Sequence, residues 1–191
     1  MIGGTLIILS YLIGAIPSAY IFTKAFNKQD IRLVGTGNVG TLNTLKNVGF
    51  KPGVFTFILD LLKGISIILI ARSISSTAYM PIYALMSGIL GHNHSPFIGF
   101  KGGKGFATLM GGLILVSPIT LGSLLLIASI LVLFAENPRN AQGVAIAFLP
   151  IMFWVHGFGG MHIIAGSIIS LIIIYKHLPH LIPSAQQTFG P

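Results

Sequence analysis

Two glycine-rich segments carry the residues best suited to chemistry in this chain. Residues 35–40 read GTGNVG, and residues 91–108 read GHNHSPFIGFKGGKGFAT. Glycine permits positive φ and close backbone approach, so successive N–H groups there can line an anion-binding concavity. Thr36, Asn38, Thr41 and Asn43 add hydroxyl and amide donors to the first segment, and Arg32 and Lys46 bring positive charge. The second segment sets Lys101, Lys104, His92 and His94 among five glycines and runs into an apolar stretch. The N-terminus of a helix starting there would favour an anion. Both segments therefore suit phosphate.

Two familiar alternatives fail. GTGNVG has the spacing of a dinucleotide-binding turn, with Asp60 in the position of a ribose acid, but such a turn follows a buried strand. The residues before it, NKQDIRLV, are polar and short, and Asp60 lies in the apolar run FTFILDLLKG. KGGKG is not a nucleotide P-loop either, because its glycine spacing differs and Gly105 stands where a magnesium-binding hydroxyl is needed. His92 and His94 lack further acids or cysteines to make a metal site. Asp60 and Lys63 sit one helical turn apart, so they form either an intramembrane functional pair or an anchor for the glycine loop. His156 and His162 flank the turn GFGG, and His177 follows Lys176.

The elements that must position these residues are membrane helices. Of 191 residues, 53% are hydrophobic and 7% charged, with a mean hydropathy of +0.90. A soluble domain is about 25% charged. No Asp, Glu, Lys or Arg occurs in residues 1–23, 73–100, 105–135 or 140–175, and about 20 apolar residues suffice to cross a bilayer core. Residues 1–23 lack a basic leader and a cleavage site, so they read as a retained helix rather than a signal peptide. There is no cysteine, hence no disulfide framework. The net charge of +8 does not indicate nucleic acid, because the basic residues are dispersed among loops.

Glycine, proline and charge divide the chain into seven expected segments, at about 2–22, 53–71, 79–92, 105–116, 118–135, 143–157 and 161–176. The fold class is therefore all-α: a polytopic integral membrane protein, with residues 1–191 forming one transmembrane domain. On this division one side of the membrane holds Lys24, Lys28, Arg32, Lys46, Lys51, Lys101, Lys104, Arg139 and Lys176, and the other holds Arg72. The positive-inside rule then puts the N-terminus outside and the C-terminus in the cytoplasm. Both glycine loops fall on the cytoplasmic side.

The order and spacing of GTGNVGTLN, LDLLKG, LGHNHSPFIGFKGGKGFAT and YKH resemble the bacterial acyl-phosphate:glycerol-3-phosphate acyltransferases, the PlsY family, of which this would be a divergent member. The resemblance implies a seven-helix enzyme of the inner membrane with a cytoplasmic-side site. Its substrates would be acyl phosphate and glycerol 3-phosphate, with membrane lipids around it and no metal or coenzyme. Lys104, His177 and Asn38 would be catalytic. Gly35, Thr36, Gly37, Gly40, Asn43, Lys46, His92, Asn93, Lys101, Gly102, Gly103, Gly105, Thr108 and Lys176 would bind substrate. No general base stands out; His177 or the donor's own phosphate oxygens would serve.

The chain departs from the family pattern in several places. Thr36 replaces a serine, Thr41-Leu42 replaces Ala-Thr, and Lys46 replaces an arginine, keeping charge but losing the bidentate fork. A Ser-x-x-Ser element is replaced by NPRNAQG, residues 137–143, where Asn140 or Gln142 would have to donate instead. Pro179 and His180 replace Glu-Asn in the third motif. A relative with weak or altered activity, or a small membrane carrier of a phosphorylated metabolite, remains an alternative; an inverted repeat would favour the carrier, and none is visible.

Overall fold

The computed structural model describes residues 2–134 and 138–181, with side chains described over 3–134 and 141–178. No strand occurs among the described residues. The chain divides into two compact units, Met1–Val116 and Ser117–Pro191.

The first unit contains α1 (Ile2–Ala15), α2 (Ser18–Asn27), α3 (Thr41–Asn47), α4 (Phe50–Ile74), α5 (Met80–Asn93) and α6 (Phe106–Val116), with short 3-10 turns at Ile31–Leu33 and Pro96–Ile98. Helix α1 packs along α5, and α4 along α6. Glycine makes both contacts backbone to backbone. A Cβ on Gly91 would lie 2.0 Å from the Tyr11 carbonyl oxygen, and one on Gly14 would lie 1.9 Å from that of Gly88. The same distance is 2.0 Å for Gly64 against Thr108 O and for Gly111 against Leu61 O. Close approach through small residues is how helices associate where lipid removes the hydrophobic driving force. Hydroxyls add to the α1–α5 seam: Ser87 Oγ donates to Ile7 O at 2.8 Å, and Ser95 Oγ to Ala15 O at 2.5 Å.

The expected segment 2–22 is interrupted. Pro17 lacks the N–H that would continue the helix, and α1 and α2 meet at a break there. Taken together, Gly3–Asn27 is still long and apolar enough to cross a membrane, as are Phe50–Ile74 and Gly160–Leu178. Many large apolar side chains face outward, among them Ile8, Ile58, Leu69, Leu126, Trp154 and Leu171. An apolar exterior of this extent fits a lipid environment rather than water.

The second unit contains α7 (Pro118–Phe134), α8 (Pro138–Ile146), α9 (Leu149–Val155) and α10 (Gly160–Leu181). The breaks expected at Ser117-Pro118 and at residues 156–160 are present. Ser117 caps α7, its Oγ accepting from Thr120 N at 3.2 Å. The expected single segment 143–157 is instead two helices, α8 and α9. Pro150, in the first turn of α9, has no N–H to give the Ile146 carbonyl, so one helix cannot run through.

Candidate active site

The first glycine loop is tied together by Asn43, a buried residue of α3. Its Oδ1 accepts from Thr36 N at 3.0 Å and from Asn47 Nδ2 at 2.9 Å. Its Nδ2 donates to Val34 O at 2.8 Å and to Asn38 O at 3.0 Å. Gly35 takes φ 59°, and a Cβ there would fall 2.2 Å from Asn47 Nδ2, so the turn over Asn43 requires glycine. Asn47 did not stand out in the sequence, but its place four residues after Asn43 on one helix face is the signal that would have found it. Thr36 and Lys46 are exposed and Asn38 is half-buried.

Ahead of this loop Arg32 grips Asp30, Nη2 to Oδ2 at 2.5 Å, and Arg32 Nη1 donates to Ile98 O at 3.2 Å. The hydrogen bond from the guanidinium holds the Asp30 carboxyl below its ordinary pKa, and the carboxylate raises that of Arg32. This clasp joins the first loop to the second segment, aided by a small core of Ala19, Ile31, Val39 and Ile98.

In the second loop Gly102 N donates to Asn93 O at 3.2 Å and Gly103 N to His92 O at 3.1 Å. A Cβ on Gly103 would lie 2.3 Å from His92 Nε2 and 2.5 Å from Val39 O. The two glycine loops therefore touch at Gly103. Gly105, at φ 84°, begins α6 against Asn93, whose Oδ1 is 2.9 Å from where a Cβ would stand. The Asn93 side chain is fully buried, and neither its oxygen nor its nitrogen has a hydrogen-bond partner. Thr108 is buried one turn into α6, with Oγ1 at 3.5 Å from His92 Nδ1. Lys104 is half-buried and Lys101 exposed.

One expectation of loop physics is modified. The amides of Thr36, Gly37, Asn38, Gly40, Gly102 and Gly103 donate within the protein, so at these positions the loops are not open nests. The side chains of Thr36, Asn38, Asn93, Lys46 and Lys104 are the groups suited to hold an anion, and the glycines supply clearance.

Beneath the second loop Asp60 and Lys63 form the ion pair that their spacing suggested, at 2.8 Å and with both side chains buried. Asp60 Oδ1 also accepts from Ser18 Oγ at 2.7 Å and lies 3.6 Å from His92 Nδ1. Lys63 Nζ donates to Ile16 O as well, at the break before Pro17.

In the second unit His177 is buried on α10, with Nδ1 at 2.9 Å from Ile173 O. A carbonyl only accepts, so Nδ1 donates in this contact. The ring packs on α8: a Cβ on Gly143 would lie 3.2 Å from His177 Cγ. The end of the 137–143 segment thus lies against the histidine of the YKH motif. Lys176 and Gln142 are half-buried. The side chains of Asn140, Pro179 and His180 lie outside the described residues.

The described residues, all helix and loop with a lipid-type exterior and two basic glycine loops in contact, define a helical membrane protein, and the comparisons with known proteins agree on that class. The model of the family "Glycerol-3-phosphate acyltransferase" matches residues 4–184. The glycerol-3-phosphate acyltransferase of Syntrophomonas wolfei is 33% identical over 172 residues, covering 90% of this chain and 88% of the relative. Glycerol-3-phosphate acyltransferase 2 of Moorella thermoacetica is 37% identical over 146 residues, covering 76% and 75%. Among solved structures, PlsY (YgiH), an integral membrane glycerol 3-phosphate acyltransferase, in its glycerol 3-phosphate form, is similar with a TM-score of 0.86 at 31% identity, over 98% of this chain and 92% of that one. Its lysophosphatidic acid form gives a TM-score of 0.83 at 30% identity. This chain belongs to the glycerol-3-phosphate acyltransferase family.

Proposed function

We propose that this protein transfers an acyl group from acyl phosphate to the 1-hydroxyl of glycerol 3-phosphate in the first acylation step of phospholipid synthesis. The hydroxyl oxygen attacks the acyl carbon and the bond from that carbon to the phosphate oxygen breaks. The ester, 1-acyl-glycerol 3-phosphate, and inorganic phosphate leave. The hydroxyl proton passes to the departing phosphate, or to His177 as the motif implies. Phosphate is a good leaving group, so orientation and charge stabilisation account for most of the required acceleration.

The observation that carries this reading is the contact of the two glycine loops at Gly103, which suits a reaction whose substrates both bear phosphate. Lys104, Asn38 and His177 are assigned catalytic roles; the role of His177 and its neighbour Lys176 rests on the motif alone. Thr36, Lys46, Lys101, His92, Asn93 and Thr108 are assigned to substrate, with Gly35, Gly37, Gly40, Asn43, Gly102, Gly103 and Gly105 shaping the loops around it. The buried, unpartnered amide of Asn93 supports this, since leaving such a group unsatisfied costs about 1–3 kcal/mol and a substrate oxygen or hydroxyl would satisfy it. The protein is read as one transmembrane acyltransferase domain over residues 1–191, with seven spans in the inner membrane, an outward N-terminus and a cytoplasmic-side site.

The test supplies purified protein with acyl phosphate and glycerol 3-phosphate and follows phosphate and lysophosphatidic acid. Equal amounts of both products are expected, and absence of product from wild type overturns the reading. Lys104→Ala should lower turnover by roughly 100-fold or more while unfolding at the wild-type temperature in detergent. Full turnover in that variant would remove Lys104 from the site.

A further inference from the structure

The reaction above makes no use of Asp60, yet its contacts reach beyond Lys63 to two other helices. Ser18 Oγ at 2.7 Å, Lys63 Nζ at 2.8 Å and His92 Nδ1 at 3.6 Å all address the same oxygen, Oδ1. Lys63 is itself tethered to the Ile16 carbonyl at the break between α1 and α2. The carboxylate is therefore fixed from three directions, by α2, by its own helix and by the end of α5. The Ser18 hydroxyl helps satisfy the buried charge, whereas the approach of His92 also ties the pair to the residue that packs on Gly103.

We propose that Asp60 is a positioning residue for the second glycine loop, acting through the imidazole of His92; the inference rests on the proposed role of that loop in holding substrate phosphate. On one side of the ring, Nδ1 faces the Asp60 carboxylate and Thr108 Oγ1. On the other, Nε2 lies against Gly103, so close that a Cβ there would sit 2.3 Å away. The carbonyl of the same histidine takes the Gly103 amide. His92 thus meets Gly103 through both ring and backbone, one residue before Lys104. In the low dielectric of a helix bundle a fixed carboxylate orients an imidazole strongly, much as acidic groups behind ligating histidines set ring direction and tautomer. Rotation of the ring would press on Gly103 and displace the backbone that carries Lys104.

The kinetic consequence separates positioning from simple neutralisation. Asp60→Asn alone would leave Lys63 charged and unpaired within the membrane, so two other variants are used. Asp60→Glu keeps the ion pair but moves the carboxylate, and Asp60→Asn with Lys63→Met removes both charges together. Each is measured for unfolding temperature in detergent, and for kcat and KM toward both substrates, beside Gly103→Ala and His92→Gln. The expected result is near-wild-type unfolding with kcat/KM reduced about tenfold or more, the change falling on the same parameter and the same substrate as in Gly103→Ala. Adding His92→Gln to the neutral pair should cost little beyond His92→Gln alone, because both act on one contact. Wild-type kcat/KM in either folded variant, or losses that multiply with His92→Gln, overturns the proposal. Failure of both variants to fold overturns it too, since the pair is then structural. If wild-type protein gives no product from acyl phosphate and glycerol 3-phosphate, the proposed function fails; if it does and the variants match it, the positioning role alone fails.

Discussion

Arg32 shows how much one side chain can organise in this protein. Its planar fork holds Asp30 and still reaches the Ile98 carbonyl at 3.2 Å, a combination lysine cannot make. Because the partnership lowers the Asp30 pKa beneath 3.8, its stabilising effect is complete above the ordinary carboxylate range and disappears as pH falls through the lowered value. The unfolding temperature of wild type should therefore exceed that of Asp30→Asn by a constant margin above about pH 5, and the margin should shrink as pH falls below the ordinary carboxylate range and through the lowered pKa. Added salt should shrink it at every pH, since the pair is partly exposed and screened. Asn43 is a second case: an amide that the sequence offers as a substrate donor is occupied by three loop partners and by Asn47 of its own helix. What these contacts fix is the shape of the turn that presents Thr36 and Asn38.

At the scale of elements, backbone contact between helices is the feature most sensitive to change. Gly64 of α4 lies against the Thr108 carbonyl of α6, with 2.0 Å available for a Cβ, and Thr108 borders the site. Gly64→Val should destabilise by about 1–3 kcal/mol or more, because backbone cannot move aside as a side chain can. Gly122 in α7 has nothing within 4 Å of a Cβ, so Gly122→Val is the matched control and should leave the free energy of unfolding in detergent within about 0.5 kcal/mol of wild type. Proline acts at the same scale. Pro17 and Pro150 each end a helical run that hydrophobicity alone would extend, and the carbonyl before Pro17 is taken up by Lys63. The break thereby becomes an attachment point for the buried ion pair.

For the whole molecule the testable quantity is orientation. The absence of cysteine makes single-cysteine labelling clean. Lys51→Cys, in the first turn of α4, and Ser76→Cys, between α4 and α5, are both at exposed positions and are assigned to opposite faces of the membrane. In intact cells an impermeant maleimide should label Ser76→Cys, and Lys51→Cys should react only after the membrane is opened. The reverse pattern would invert the topology and move both glycine loops to the outer face.

Composition and charge spacing determined that this is a helical membrane protein, because the cost of burying charge in lipid is imposed residue by residue and is therefore written locally. The glycine motifs likewise marked phosphate chemistry, and their order indicated the family to which the chain belongs. Tertiary structure decided what lies between residues far apart in sequence. It placed Val39 and His92 against Gly103, Ser18 and His92 around Asp60, and His177 against Gly143. It also engaged backbone amides that the glycine pattern alone left open. Such contacts depend on how helices approach and where their carbonyls fall, and a linear pattern of residue types carries no measure of either.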